Sequence, residues 1–275
     1  IHYVAPSVWA YKPERAAKVA ELFDHILVLF PFEKQYFTEA GISNSFVGHS
    51  IIEQPAEPGD GVAFREKYGI PPERKLLLML PGSRRGELAR HLPLFKQTAV
   101  KLQEHFPGLE CLLVTIPATH ALVQEEVRSW PVKTMVIGDA RERRNAYAAA
   151  DAALVKSGTA TLEIALAGVP MVVTYKVNPV SAWIIARMIR TRYICLVNIM
   201  AKKEIVPELL QSKATPDRLS WELVSLMAPG GANAQLSAAK EALSQLRPPG
   251  GETPSRMAAK VIWQRLGRRR AARAA

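Results

Sequence analysis

Two short stretches of the chain combine glycine, hydroxyl and charged residues in the way an anion site requires. The first is LPGSRRGE at 80–87. Pro81 and Gly82 make a turn, Gly82 lets the backbone approach a ligand, and Ser83 stands where it can cap the following helix. The free N–H groups of a helix start, carrying roughly half a positive charge, attract phosphate. Arg84 adds a forked cation suited to a pair of phosphate oxygens. The second stretch is SGTATLE at 157–163. Gly158 admits phosphate to the backbone, Ser157 and Thr159 supply hydroxyls, and Glu163 can accept from both hydroxyls of a ribose. Each stretch also reads as an ordinary strand-to-helix turn, with a capping hydroxyl and a solvated glutamate. Neither is a Walker loop or a GxGxxG. Two such loops on one sheet favour a nucleoside diphosphate. No acid pair or His/Cys cluster has metal-ligand spacing, so no metal is required. His49, in the turn Gly48-His49-Ser50, reads as a hinge residue.

The elements that must position these loops alternate. Apolar runs at 24–30, 46–50, 75–80, 110–116, 134–138, 152–155 and 170–176 read as strands. Helical patterns fall at 31–41, after 84, at 119–130, 144–151 and 157–168. The helix after 84 has apolar positions Leu88, Leu92, Phe95, Ala99 and Leu102 at helical spacing. Strands that alternate with helices imply an α/β fold, a Rossmann-like doubly wound parallel sheet, with ligands beyond the strands' carboxyl ends. EQPAEPGDG (53–61) is the best linker.

The chain has 275 residues, two of them Cys, and a net charge of +11. About half the residues are apolar, which excludes general disorder, and two cysteines exclude a disulfide framework. Cys111 and Cys195 lie in apolar runs and read as buried thiols. Arg256, Lys260, Arg265, Arg268, Arg269, Arg270 and Arg273 form a basic tail without acids, leaving +4 on the remainder. Such a tail suits anionic lipid, nucleic acid or plain solvation. No apolar run reaches the roughly 18–20 residues that cross a bilayer, and no signal peptide is visible. The chain opens on Ile1 as though a strand were already under way, so an N-terminal portion is expected to precede it. In VSAWIIARMIR (180–190), helical spacing sets Trp183, Arg187 and Arg190 opposite Ile184, Ile185, Met188 and Ile189. That face suits anionic headgroups, or packing against another domain.

IHYVAPSVWAYKPERAAKV, FPFEKQYF, FVGHS, LPGSRRGEL, DAALVKSGTATLEIALAGVPMVVTYK and NIMAKKEIVPELLQ together resemble the lipid-A-disaccharide synthases. The resemblance runs from Tyr3 to about Gln211. It implies a B-type glycosyltransferase architecture and a reaction without cofactor. UDP-2,3-diacylglucosamine and 2,3-diacylglucosamine 1-phosphate would give lipid A disaccharide 1-phosphate and UDP. By the same resemblance, Gly82, Ser83 and Arg84 would serve the diphosphate, and Ser157, Gly158 and Thr159 the phosphate or uracil side. Glu163 would hold the ribose, with Asn198 and Glu204 facing the same cleft. Residues 1–50 would end the N-terminal acceptor-side domain, 51–61 link, 62–246 bind the nucleotide sugar, and 247–275 form a C-terminal helix and basic tail. The family's general base and acyl-chain surface would lie mostly before this chain, so its catalytic residues are left unassigned. The place of work would be cytoplasmic, on the inner face of the cytoplasmic membrane, with an anionic lipid surface as partner, no nucleic acid, and a homodimer left open. One departure stands out: Lys202 replaces the glycine of the family's NLxAGxE pattern. Two competing readings remain, another UDP-sugar enzyme of this fold such as a UDP-N-acetylglucosamine epimerase, and a non-catalytic anionic-surface binding fragment.

Overall fold

The computed structural model describes residues 1–10, 14–53, 59–178, 182, 187 and 191–274, with side chains of the last helix described to Gly267. Most of the amphipathic stretch at 180–190, including Trp183, lies outside the described residues. The chain forms two compact units.

The first unit comprises residues 1–56, 186–192 and 241–275. Its parallel sheet has the order β1-β2-β3, from β1 (His2–Tyr3), β2 (His25–Val28) and β3 (Ser43–Phe46). Helices α1 (Arg15–Leu22) and α2 (Lys34–Glu39) close a core of Val8, Ala16, Ile26, Val28, Phe37 and Ile42. The strand expected at 46–50 instead begins at Ser43 and ends at Phe46, ahead of Gly48, whose φ is +82°. His49 is structural: its N–H bonds Leu246 O at 3.1 Å, and its Nδ1 accepts from Ile51 N at 3.1 Å.

Two buried titratable groups mark this unit. Glu33 accepts from Trp9 Nε1 at 3.2 Å, Leu29 N at 3.0 Å and Phe30 N at 3.1 Å. Burial nevertheless pushes its carboxyl up to about 7, against those three bonds. His25 meets Ser45 Oγ at 3.0 Å, and burial, with the nearby charge of Arg265, lowers it to about 4.

The second unit comprises residues 57–185 and 193–240. Its elements in chain order are α3 (Gly61–Tyr68), β4 (Leu76–Leu80), α4 (Arg85–His105), β5 (Glu110–Val114), α5 (Pro117–Val127), β6 (Thr134–Ile137), α6 (Arg143–Ala148), β7 (Ala152–Lys156), α7 (Ala160–Leu166) and β8 (Met171–Tyr175). There follow α8 (Leu196–Ala201), β9 (Glu208–Leu210), α9 (Pro216–Met227) and α10 (Asn233–Ser244), the last of which runs on into the first unit's residues. A final helix, α11 (Pro254–Ala274), belongs to the first unit. Its Ser255 donates to Glu53, and its Arg265 to Ser43 Oγ at 2.6 Å.

All six strands of the second sheet run parallel, in the order β6-β5-β4-β7-β8-β9. The reason is in the composition of the central strands. Leu77, Met79, Cys111, Leu113, Leu154 and Val172 pack on one face against Leu88, Leu92, Phe95, Ala99 and Leu102 of α4 and Leu219 and Leu223 of α9. Their neighbours Leu76, Leu78, Leu112, Ala153, Val155 and Val173 point the other way and are equally buried. A strand covered on both faces must be apolar throughout, and only helices on both sides provide that cover. The expected doubly wound sheet is therefore present. Cys111 and Cys195 are free and buried, and burial pushes their thiols up to about 12 and about 11.

Candidate functional site

The carboxyl ends of β4, β5 and β7 surround a cleft of about 240 Å³. Gly82 and Ser83 line it after β4, Ser157, Gly158 and Thr159 after β7, and Glu163 from α7. Both loops singled out in the sequence therefore reach one place.

Their local chemistry differs from expectation at the first loop. Ser83 does not cap α4. The helix starts after Arg84, and the two N–H groups just before it are taken by Glu87, whose Oε2 accepts from Ser83 N at 3.1 Å and Arg84 N at 3.4 Å. Gly82 is required for this closure: its φ is +112°, and a Cβ there would stand 2.5 Å from Glu87 Oε2. The other carboxylate oxygen accepts from Lys156 Nζ at 3.0 Å. Lys156 and Glu87 are 15% and 14% exposed, so the pair is largely withdrawn from water. Burial opposes the Glu87 charge, but Lys156 and the two N–H groups outweigh it and hold the carboxyl below its usual range. Lys156 Nζ also stands 5.1 Å from the centroid of the Tyr175 ring. His91 fixes α4 from below. Its Nδ1 meets Glu87 O at 2.8 Å and its Nε2 accepts from Lys176 N at 3.1 Å, so the ring proton belongs on Nδ1.

In the second loop Ser157 Oγ is spent on Ile194 O at 3.1 Å, and Thr159 makes no cap bond. Ser157 is buried, whereas Gly158 and Thr159 are exposed to the cleft. Glu163 is held by Tyr147, whose hydroxyl donates to Oε2 at 3.2 Å. Burial, reinforced by the Glu163 charge, pushes the Tyr147 phenol up, so it stays a donor.

Three expected residues stand apart from the cleft lining. The Arg84 side chain is 84% exposed and touches Glu87 Oε1 at 3.3 Å. Asn198 is fully buried and has a scaffold role, with Nδ2 donating to Val206 O and Glu208 Oε1 and Oδ1 accepting from Ile205 N and Val206 N. Glu204 accepts from Glu208 N at 3.4 Å. Four ionisable lining residues were not anticipated: Glu87, Arg143, Tyr147 and Lys156. Of these only Lys156, a charge ending a buried strand directly before SGT, carried a visible signal. Lys202, in place of the family's glycine, keeps a glycine-like backbone with φ +56° and ends α8.

A parallel Rossmann-like unit with a cleft of this kind is the architecture of B-type glycosyltransferases and their UDP-sugar relatives. The fold is similar to a glycosyltransferase from Rickettsia africae, at TM-score 0.55 and 13% identity over 94% of this chain and 66% of that one. It is also similar to S. aureus MnaA in a UDP co-structure, at TM-score 0.57 and 13% identity, over 90% of this chain and 61% of the other. A UDP-N-acetylglucosamine 2-epimerase fold from Listeria monocytogenes scores 0.54 at 14% identity, over 81% and 58%. These likenesses concern fold alone.

Sequence decides further. Residues 1–260 match the lipid-A-disaccharide synthetase family, and the chain belongs to it. It is 44% identical to the lipid-A-disaccharide synthase of Rhodospirillum centenum, over 98% of this chain and 67% of that protein. To the synthase of Granulibacter bethesdensis it is 39% identical, over 97% and 71%. This chain thus spans about two thirds of the length of these relatives.

Proposed function

We propose that this chain supplies the donor-binding part of a hexosyltransferase. The enzyme would join UDP-2,3-diacylglucosamine to 2,3-diacylglucosamine 1-phosphate, giving lipid A disaccharide 1-phosphate and UDP. Family membership supports the reaction, and the gathering of both loops with Glu163 around one cleft supports the donor site. In this reading Gly82, Ser83, Gly158 and Thr159 face the diphosphate, Ser157 shapes their loop, and Glu163 accepts from the ribose hydroxyls. Arg84 reaches the donor from the rim, while Asn198 and Glu204 hold the wall that α8 and β9 form. The general base is assigned to no residue of this chain.

The experiment is calorimetric titration with UDP and its 2′,3′-dideoxy analogue, with and without EDTA. UDP should bind with or without EDTA and outcompete the analogue, because a carboxylate built to pair with hydroxyls is left unpaired without them. Glu163→Ala should erase most of that preference, roughly 1.5–3 kcal/mol for hydrogen bonds to a charged group. An undiminished preference in the variant would remove Glu163 from the ribose site. Product analysis with the acyl substrates separates disaccharide and UDP from a changed sugar epimer.

The acyl substrates also bear on placement. Among the described residues, no helix is long and apolar enough to cross a membrane. α11 carries Trp263, 76% exposed, beside Lys260 and Arg265. We propose peripheral attachment to an anionic lipid surface through this helix and the basic residues of its sequence. Each cation near such a surface adds about 1 kcal/mol. In liposome sedimentation, wild type should bind anionic vesicles and lose them at high salt, and a chain ending at Gly267 should bind more weakly. Equal binding to neutral and anionic vesicles by both proteins would contradict the attachment.

A further inference from the structure

Among the described residues two cations line the cleft, and they differ in what they are already doing. Lys156 is committed to Glu87 at 3.0 Å. Arg143 also lines the cleft, yet among the described residues its guanidinium makes no hydrogen bond or ion pair, and its Nε is buried without a partner. A buried donor left unsatisfied is unfavourable, and a ligand that brings an acceptor removes that cost.

Sheet order separates the two. Lys156 ends β7, whereas Arg143 opens the helix that follows β6, and β5 and β4 lie between those strands. With strands roughly 4.8 Å apart, β7 and β6 are separated by about 14 Å. Glu163, on the helix after β7, is anchored by Tyr147, which lies one turn after Arg143 on the same face of α6. The proposed donor therefore lies with its diphosphate beside Gly82, Gly158 and Lys156 and its ribose at Glu163. Its base then falls at the far end, between Ile116 and Arg143.

We infer that Arg143 is a specificity-determining residue that selects uracil over cytosine in the donor nucleotide. This rests on the UDP site proposed above. A guanidinium only donates. Uracil accepts at both O2 and O4, whereas cytosine keeps acceptors at O2 and N3 but carries at position 4 an amino group that donates. We place the guanidinium at position 4 of the base, where it binds the uracil carbonyl but meets the cytosine amino group, and two donors facing each other leave both unsatisfied.

The test is calorimetry of the 275-residue chain with UDP, CDP and inorganic pyrophosphate, for wild type, Arg143→Met and Arg143→Lys. Wild type should bind UDP at least about 10-fold tighter than CDP, the scale of one lost polar pairing. Arg143→Met keeps the aliphatic stem but no donor. It should lose about 10-fold in UDP affinity and nearly all the preference, with pyrophosphate binding unchanged as evidence of an intact fold. Arg143→Lys, with a donor but no fork, should fall between. A wild-type UDP-to-CDP ratio in Arg143→Met would overturn the inference, as would an equal loss of UDP and pyrophosphate, which marks a phosphate contact. Wild type that binds no UDP would overturn the donor site itself, and the inference with it.

Discussion

At the scale of single residues, side chains are placed by what they neutralise. Glu87 occupies the loop N–H groups of Ser83 and Arg84 beside the first anion-type loop, while Gly158 stays open to the cleft. Lys202 shows a different compromise. With φ at +56° it holds a conformation that glycine adopts without steric strain. Lys202→Gly should raise stability by about 1 kcal/mol in urea unfolding, the cost of a left-handed non-glycine residue. A lower midpoint would show that the lysine side chain makes a compensating contact. His25 and Glu33 give opposed pH dependences in the first unit. Glu33, raised to about 7, contributes stability that is complete below its ordinary 4.5 and lost as pH rises through 7. His25, lowered to about 4, contributes stability present above its ordinary 6.5 and lost as pH falls through 4. Relative to wild type, Glu33→Gln should therefore gain stability as pH rises from 4.5 to 7, and His25→Gln as pH falls from 6.5 to 4. Stability curves that run parallel to wild type across this range would contradict both assignments.

At the scale of elements, legibility followed burial. β4, β5, β7 and β8 were readable as continuous apolar runs because both of their faces are covered. β3 reads SNSF and lies at a sheet edge, partly exposed, so its polar residues gave no strand signal and the apolar FVGHS beside it drew the boundary too late. The same logic divides the site. Gly158 and Glu163 sit in a glycine-and-hydroxyl loop whose chemistry is local. Tyr147 resembles any apolar position of an amphipathic helix, and Arg143 is one of three arginines in RERR. Which of those arginines enters the cleft depends on the rotation of α6 against β5 and β7, a tertiary quantity with no local signature.

At the scale of the molecule, the charge is concentrated and the site is not responsible for it. The +11 resides mainly on the last helix, while the cleft balances Lys156 against Glu87 and leaves Arg143 for a ligand. The proposed donor site places a nucleoside diphosphate across the ends of β4, β5 and β7. Gly158 tests it most directly. A Cβ there would meet only Lys156 Nζ, at an ordinary 3.9 Å, and the backbone is not left-handed, so Gly158→Asp should fold as wild type does. Its carboxylate would stand where the diphosphate is placed, adding like-charge repulsion to lost space. The measurement is UDP titration of wild type and Gly158→Asp, alongside their thermal midpoints. Gly158→Asp should leave the midpoint unchanged and reduce UDP affinity by about 100-fold, or about 2.7 kcal/mol. Undiminished UDP binding by a fully folded Gly158→Asp would contradict it.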